Sequence, residues 1–159
     1  MSEEQTTILL ADDSENDLLL MQLAFAKAEF NADLRIVRDG EEAIAYLQGE
    51  FPYHDRDRHP LPTLILLDLN MPRKNGFKVL EWIRSQPDFR RLPVIVLTAS
   101  MRPEDVEQAF DLGVTSFLVK PGRVEDLIAM MHTMREWLQF NRFPLVHGQA
   151  RPAEIWSET

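Results

Sequence analysis

Five short apolar runs, each followed by a stretch with helical spacing, constrain the fold of this chain more than any other feature. Leucine, isoleucine and valine fill the runs almost without polar interruption, as in strands that are buried on both faces of a parallel sheet. Strands that alternate with helices pair in parallel, and right-handed crossovers place helices on both faces. The sequence therefore predicts five βα units and one parallel five-stranded α/β sheet. The predicted strands are Thr7–Leu10, Leu34–Val37, Leu64–Leu67, Val94–Leu97 and Ser116–Val119.

The predicted helices have start signals and apolar faces. Ser14 is a capping residue before the first helix, and Glu15 and Asp17 lie in the first turn, where the helix dipole favours acids. Each helical stretch repeats apolar residues at a period that leaves one face to pack on the sheet. The other helices are predicted at Glu41–Gln48, from Gly76, from Pro103 and over Val124–Phe140.

Composition excludes several classes of protein. The 159 residues suffice for one ordinary domain, and the absence of cysteine excludes a disulfide framework and a thiol nucleophile. No stretch has the length of a membrane span or the pattern of a signal peptide. The formal net charge of −9 would repel a nucleic-acid backbone. We therefore expect a soluble, cytoplasmic domain that contacts neither nucleic acid nor membrane directly.

Charged and hydroxyl side chains follow four of the five predicted strands. Asp12 and Asp13 follow the first strand, Asp68 the third, Thr98 the fourth and Lys120 the fifth. Ligands of open parallel sheets bind at this carboxyl edge of the strands. A buried carboxylate such as Asp68 also needs a cation or hydrogen-bond donors to compensate its charge. We therefore expect these five side chains to converge on one site.

Three converging carboxylates predict a bound cation. At roughly 5 Å and an effective dielectric near 20, each carboxylate pair repels by about 3 kcal/mol, and Lys120 offsets only part of that repulsion. Oxygen ligands without a neighbouring His or Cys favour Mg²⁺, which keeps several waters and binds phosphate oxygens. A metal beside phosphate indicates phosphoryl chemistry with an aspartate as the nucleophile.

Four segments of the chain together resemble the signature segments of the response-regulator receiver domain, the CheY-like module of two-component signalling. The segments are LLADDSEND, LILLDLNMPRKNGFKVL, VIVLTAS and SFLVKP, and the resemblance extends over about residues 6–140. It implies a flavodoxin-like (βα)5 doubly wound sheet with strand order 2-1-3-4-5. We expect a receiver domain over 1–140 and a C-terminal tail over 141–159 that is too short for an output domain.

The resemblance also implies a metal shell and a phosphoacceptor. Asp68 would accept the phosphoryl group and bind Mg²⁺. Asp13 would be a direct Mg²⁺ ligand, and Asp12 a second acidic ligand that acts largely through water. The backbone carbonyl of Asn70 would complete the share of the metal shell that the protein provides.

The phosphoryl contacts and the switch are implied in the same way. Lys120 would pair with the phosphoryl oxygens, and the Thr98 hydroxyl and the Ala99 amide would donate to them. Phosphorylation would draw Thr98 inward while Phe117 turns into the vacated space. Since phenylalanine has no hydroxyl, the inward orientation suits Phe117 better than it would a tyrosine. The bond before Pro121 matches a peptide bond that is frequently cis in the family.

The resemblance is sharpest to single-domain receivers that include the cyanobacterial phytochrome response regulators. The shared features are the type of sequence in the second helix, the long loop that follows this helix and the stretch LLDLNMPRKNG. Such proteins take phosphoryl groups from a sensor histidine kinase, often a light-sensing, phytochrome-like one. We therefore expect a histidine kinase as partner and a surface around the fourth strand and helix as the output.

Three alternative functions compete with a phosphorylation switch. A haloacid-dehalogenase-type phosphatase also uses an aspartate at a strand end with Mg²⁺, but it requires an acid where this chain has Asn70. A flavodoxin-like FMN carrier requires a Ser/Thr-rich phosphate loop, whereas the acids of DDSEND would repel the phosphate. A receiver-like scaffold that no longer accepts phosphate is disfavoured by the complete set of site residues.

The long loop and the tail leave a few residues without a place in this site. His54 and His59 in the loop, and His132 and His147 elsewhere, are interpreted as solvated rather than metal-binding. Arg73 and Lys74 are interpreted as solvated loop charges that could touch a kinase. The tail aromatics either fold back on the domain or form a dimer surface with the end of the last helix, and we favour the dimer. These aromatics are Phe140, Phe143 and Trp156.

Overall fold

Neighbouring strands pair in parallel throughout the sheet, as the sequence predicts, and their spatial order is the 2-1-3-4-5 that the family resemblance implies. The computed structural model describes residues 5–144 and 146. Each strand begins and ends within one residue of its predicted bounds, because the apolar runs are clearly delimited. The strands are β1 (Thr7–Ala11), β2 (Asp33–Val37), β3 (Leu64–Leu67), β4 (Val94–Thr98) and β5 (Ser116–Val119).

Five helices connect and follow the strands. The side chain of Ser14 accepts a hydrogen bond from the Asp17 amide, so the predicted cap of the first helix is present. Asp39 and Asn75 cap the next two helices in the same way. The helices are α1 (Glu15–Lys27), α2 (Gly40–Gln48), α3 (Gly76–Ser85), α4 (Pro103–Asp111) and α5 (Val124–Phe140).

The sheet is buried on both faces by two separate apolar clusters. Leu9 and Ala11 of β1 pack in the cluster beneath α2, α3 and α4, whereas Ile8 and Leu10 pack in the cluster beneath α1 and α5. Because successive strand residues point to opposite faces, both sets must be apolar. This packing explains why the strands lack the alternation of polar residues that a half-exposed sheet would have.

The loop between α2 and β3 is anchored to the domain. The guanidinium of Arg56 donates to the backbone carbonyls of Tyr46, Leu47 and His59, and so satisfies carbonyls at the end of α2. His59 packs edge-on against the rings of Tyr46 and Tyr53. The interpretation of His59 as a solvated residue is therefore wrong, since this half-buried ring closes an aromatic cluster.

The described part of the tail packs on its own domain. Phe143 contacts Trp137 with a ring-centroid distance of 5.9 Å, and Val146 is buried in the cluster beneath α2, α3 and α4. His147 and Trp156 lie outside the described residues. Within residues 5–144 and 146, no helix is both long enough and apolar enough to cross a membrane.

Candidate functional site

The ammonium group of Lys120 gathers carboxylates from three elements at the carboxyl edge of the sheet. Its Nζ atom lies 2.6 Å from Asp12 Oδ2, 3.1 Å from Asp68 Oδ2 and 2.9 Å from Asp17 Oδ2. Asp12 follows β1, Asp68 follows β3 and Lys120 follows β5, so the sheet order brings together residues up to 108 positions apart. The predicted convergence of these strand-end charges is present in the structure.

The acidic cluster consists of Asp12, Asp13 and Asp68, whose candidate ligand oxygens lie within 4.8 Å of one another. Asp12 and Asp68 are buried, whereas Asp13 is exposed. This set offers only hard oxygen ligands and one face open to solvent, which fits a divalent cation that retains waters. The donor chemistry of the site therefore fits Mg²⁺ or Mn²⁺ better than a metal that prefers nitrogen or sulfur.

Burial and the neighbouring charged groups shift the pKa values of Asp12 and Lys120 in opposite directions. Burial raises the pKa of Asp12, while hydrogen bonds from Lys120 and the Ser14 amide oppose that rise. Burial alone would lower the pKa of Lys120, but its hydrogen bonds to Asp12 and Asp17 and the charge of Asp68 reverse the effect and raise it. Lys120 is therefore a permanent cation that compensates the carboxylates at physiological pH.

Thr98 and the residues after it form the other wall of the site. Thr98 is completely buried at the end of β4, and its hydroxyl accepts a hydrogen bond of 3.4 Å from the Ser100 amide. Ala99, between them, is exposed. The Ser100 hydroxyl donates to the Asp105 carboxylate in the first turn of α4. A short chain of hydrogen bonds thus links the end of β4 to α4.

Asn70 and Gly76 bracket the loop that follows β3. The backbone N–H of Asn70 donates to Asp68 Oδ1 at 3.3 Å, and the backbone N–H of Gly76 donates to the Leu69 carbonyl at 3.0 Å. A Cβ on Gly76 would lie 2.4 Å from the Asp68 carbonyl oxygen. Glycine is therefore required at this position for the loop to hold Asp68 in place.

Phe117 lies on β5 opposite Val96, three residues before Lys120. It is half-buried and packs against the cluster beneath α2, α3 and α4. The expectation of a cis bond before Pro121 is wrong, since the cis bond among the described residues is Phe51–Pro52. Lys120 reaches the carboxylates with the trans bond.

Two contacts at or near the site were not predicted from the sequence. Asp17, interpreted only as a first-turn acid, contacts Lys120 because the capped first turn of α1 begins directly beside Asp13. Arg73, interpreted as a solvated charge, pairs with the buried Asp39 at 3.1 Å. Only the proximity of each helix start to a strand end could have indicated these contacts.

The fold and the acidic edge define a class of signalling domain, and sequence comparison identifies its family. The family model described as "Response regulator receiver domain" matches residues 8–132. The chain belongs to this family. The strand order and the four strand-end segments agree with that assignment.

Relatives and solved structures match almost the whole chain. Response regulator Rcp1 of Synechocystis sp. is 38% identical over 148 residues, which are 91% of this chain and 99% of that protein. A structure of phosphorylated RcpA, a cyanobacterial phytochrome response regulator, has a TM-score of 0.81 at 36% identity and covers 89% of this chain and 99% of its own. RPA3017, described in red-light signalling of R. palustris, has a TM-score of 0.84 at 35% identity with the same coverage. This chain is therefore similar to phytochrome-associated response regulators of two-component signalling.

Proposed function

We propose that this protein is a single-domain response regulator that accepts a phosphoryl group on Asp68. The observation that carries the proposal is the convergence of Asp12, Asp13 and Asp68 with the Lys120 ammonium on one edge of the sheet. A carboxylate beside a fixed cation and a candidate metal site is the arrangement that phosphoryl transfer to oxygen requires. Residues 1–140 form the receiver domain in this proposal, and 141–159 form a tail.

Asp12, Asp13, Asp68 and the backbone carbonyl of Asn70 would hold Mg²⁺ in this site. A solved structure of the relative Rcp1 is of a Mn²⁺-bound form, which supports divalent-metal binding by this chain. When bound, the metal supplies positive charge that offsets the charge on the transferring phosphoryl oxygens.

The transfer step follows from the carboxylate and its neighbours. An oxygen of Asp68 forms a bond to phosphorus while the bond from phosphorus to the nitrogen of a kinase phosphohistidine breaks, and the imidazole leaves neutral with a proton on its other nitrogen. Lys120 pairs with the phosphoryl oxygens, and the Thr98 hydroxyl and the Ala99 amide donate to them. The Thr98 hydroxyl now accepts from the Ser100 amide, so its own O–H group is available as the donor.

A movement of Thr98 supplies a switch. When Thr98 turns toward the phosphoryl group, Phe117 on the neighbouring strand moves into the space that the hydroxyl leaves. The hydrogen bond between Ser100 and Asp105 carries the displacement from the end of β4 to α4. The surface around α4 then binds its partner differently in the two states.

A sensor histidine kinase of the phytochrome-like kind is the proposed phosphoryl donor, and the cytoplasm is the proposed location of this protein. The support is the similarity to RcpA and RPA3017, whose descriptions name phytochrome and red-light signalling. The haloacid-dehalogenase alternative has no support at the site, because an amide, Asn70, stands where that chemistry requires an acid. The experiment below separates the remaining scaffold alternative from the switch.

We also propose a homodimer through the last helix. An apolar groove of about 550 Å³ lies between β5 and α5, and its lining includes Leu118, Met130 and Trp137. Phe140 at the end of α5 is 85% exposed. Sedimentation should give a dimer that Phe140→Glu weakens, and a monomer at high micromolar concentration in both phosphorylation states would refute the interface.

Intact-mass analysis after incubation with acetyl phosphate and Mg²⁺ tests the main proposal. We expect one phosphoryl group on the wild type, and none on Asp68→Asn or after chelation of the metal. If the folded wild type takes up no phosphoryl group, the phosphoacceptor role is wrong and the scaffold function replaces it. Thr98→Ala then tests the switch: we expect slower phosphorylation, because a donor to the phosphoryl oxygens is lost, and no change in partner binding once the variant is phosphorylated.

A further inference from the structure

Asp17 is a third partner of Lys120 that lies outside the acidic cluster. Its Oδ2 atom is 2.9 Å from Lys120 Nζ, a distance similar to those of Asp12 and Asp68. An ammonium group has three N–H donors. The three carboxylates therefore occupy every hydrogen-bond donor of Lys120.

The two kinds of partner differ in how they are attached to the site. Asp12 and Asp68 belong to the acidic cluster that could hold a cation, whereas Asp17 lies in the first turn of α1, a helix whose start is fixed by the Ser14 cap. Asp17 is also the most exposed of the three, with 36% of its side chain accessible against 1% and 9% for Asp12 and Asp68. The capped first turn of α1 thus supplies a third partner of the ammonium from outside the cluster.

We propose that Asp17 is a positioning residue that holds Lys120 back from Asp68, so that an oxygen of Asp68 stays free to attack phosphorus. This inference rests on the proposed phosphoacceptor role of Asp68. Without Asp17, the ammonium has only the two cluster carboxylates as partners. The ammonium then moves closer to Asp68 and hydrogen-bonds to the oxygen electron pair that must form the bond to phosphorus.

Substitution of Asp17 tests this role against a matched control on the same helix turn. Asp17→Ala removes the acceptor and the charge, whereas Asp17→Asn keeps an oxygen acceptor. Glu15→Ala removes the same charge two residues away, at an exposed side chain that pairs with Arg38 instead of Lys120. Circular dichroism establishes that each variant is folded before it is assayed.

The first measurement is the rate of phosphorylation by acetyl phosphate at saturating Mg²⁺. We expect Asp17→Ala to react on the order of tenfold more slowly, Asp17→Asn to fall between it and the wild type, and Glu15→Ala to stay within about twofold. A rate for Asp17→Ala within twofold of the Glu15→Ala control would overturn the positioning role.

The second measurement observes Lys120 without any reaction. A ¹H–¹⁵N spectrum of lysine ammonium groups should contain a slowly exchanging Lys120 signal, assigned by its absence in Lys120→Met. We expect the signal to be lost or shifted in Asp17→Ala and retained in Glu15→Ala. An unchanged signal in Asp17→Ala refutes the contact. If the wild type takes up no phosphoryl group, the proposed function fails, and this spectrum still decides whether Asp17 holds Lys120.

Discussion

Neutralising Asp13 should stabilise the metal-free protein, because this residue adds charge to an already acidic cluster. Its candidate ligand oxygen lies within 4.8 Å of those of Asp12 and Asp68. Lys120 donates to both of those neighbours, whereas Asp13 is exposed and lies outside that set of hydrogen bonds. Asp13→Asn therefore removes repulsion with little loss of compensating contacts.

The magnitude follows from the distances in the cluster. Two unit charges 4.8 Å apart repel by about 3.5 kcal/mol at an effective dielectric of 20 and by about 1 kcal/mol in bulk water. Since Asp13 is exposed, each of its two repulsions lies toward the lower end of this range, and its attraction to Lys120 cancels roughly one of them. We expect a net stabilisation of about 1 to 2 kcal/mol.

Urea unfolding with and without Mg²⁺ measures both consequences. With a slope of about 2 kcal/mol per molar urea, the metal-free midpoint of Asp13→Asn should rise by about 0.5 to 1 M. Mg²⁺ at 100 times its Kd should stabilise the wild type by about 2.7 kcal/mol, and the variant by much less at the same concentration. Glu15→Gln is the control, since it removes an equal charge from a residue outside the cluster.

Three outcomes would refute this reasoning. A metal-free Asp13→Asn that is less stable than the wild type would mean that the side chain makes a compensating contact worth more than the repulsion. An equal response of variant and wild type to Mg²⁺ would mean that Asp13 is not a metal ligand. A midpoint shift in Glu15→Gln as large as in Asp13→Asn would assign the effect to net charge instead of to the cluster.

Further predictions concern the loops that support the site. Gly76→Ala should destabilise the folded protein by about 1 to 3 kcal/mol in thermal unfolding, because the added Cβ would clash with the Asp68 carbonyl oxygen. The same variant should be phosphorylated more slowly, and a variant as stable as the wild type would contradict this prediction. Asp39→Ala should lower the free energy of unfolding by about 1 to 2 kcal/mol, because both the α2 cap and the ion pair with Arg73 are lost. Asp39→Asn keeps the cap and should lower it by less in the same unfolding measurement. Arg56→Met should increase proteolysis of residues 49–63, because three carbonyls lose their hydrogen bonds from the guanidinium; unchanged cleavage would show that the loop is held by other contacts.

The fold could be predicted because each local signal agrees with the global arrangement. The run at Leu64–Leu67 is apolar at every position since its residues alternate between two cores, and β3 has the predicted bounds. Ser14 caps the helix that its sequence context indicates. Such features depend on residues that are close together in the sequence, and the periodicity of the apolar residues indicates them directly.

Contacts that helix starts make with distant segments could not be predicted in the same way. The bond between Lys120 and Asp17 joins residues 103 positions apart, and the pair of Arg73 with Asp39 depends on the loop after β3 meeting the start of α2. That loop approaches so closely that a Cβ on Gly40 would lie 1.9 Å from the Lys74 carbonyl oxygen. Sequence spacing indicates which strand ends meet, but it does not specify how helix starts pack beside them.

The site also explains why its residues break the pattern of the core. Asp12 and Asp68 are buried charges at the ends of apolar strands, which stability alone would disfavour. Lys120 satisfies one oxygen of each, so the fold tolerates both, yet one cation cannot balance Asp12, Asp13, Asp17 and Asp68 together. The unbalanced negative charge is what attracts a divalent cation, and the cation in turn prepares the edge for an anionic phosphoryl group. The feature that weakens the metal-free fold is thus the same one that makes the proposed chemistry possible.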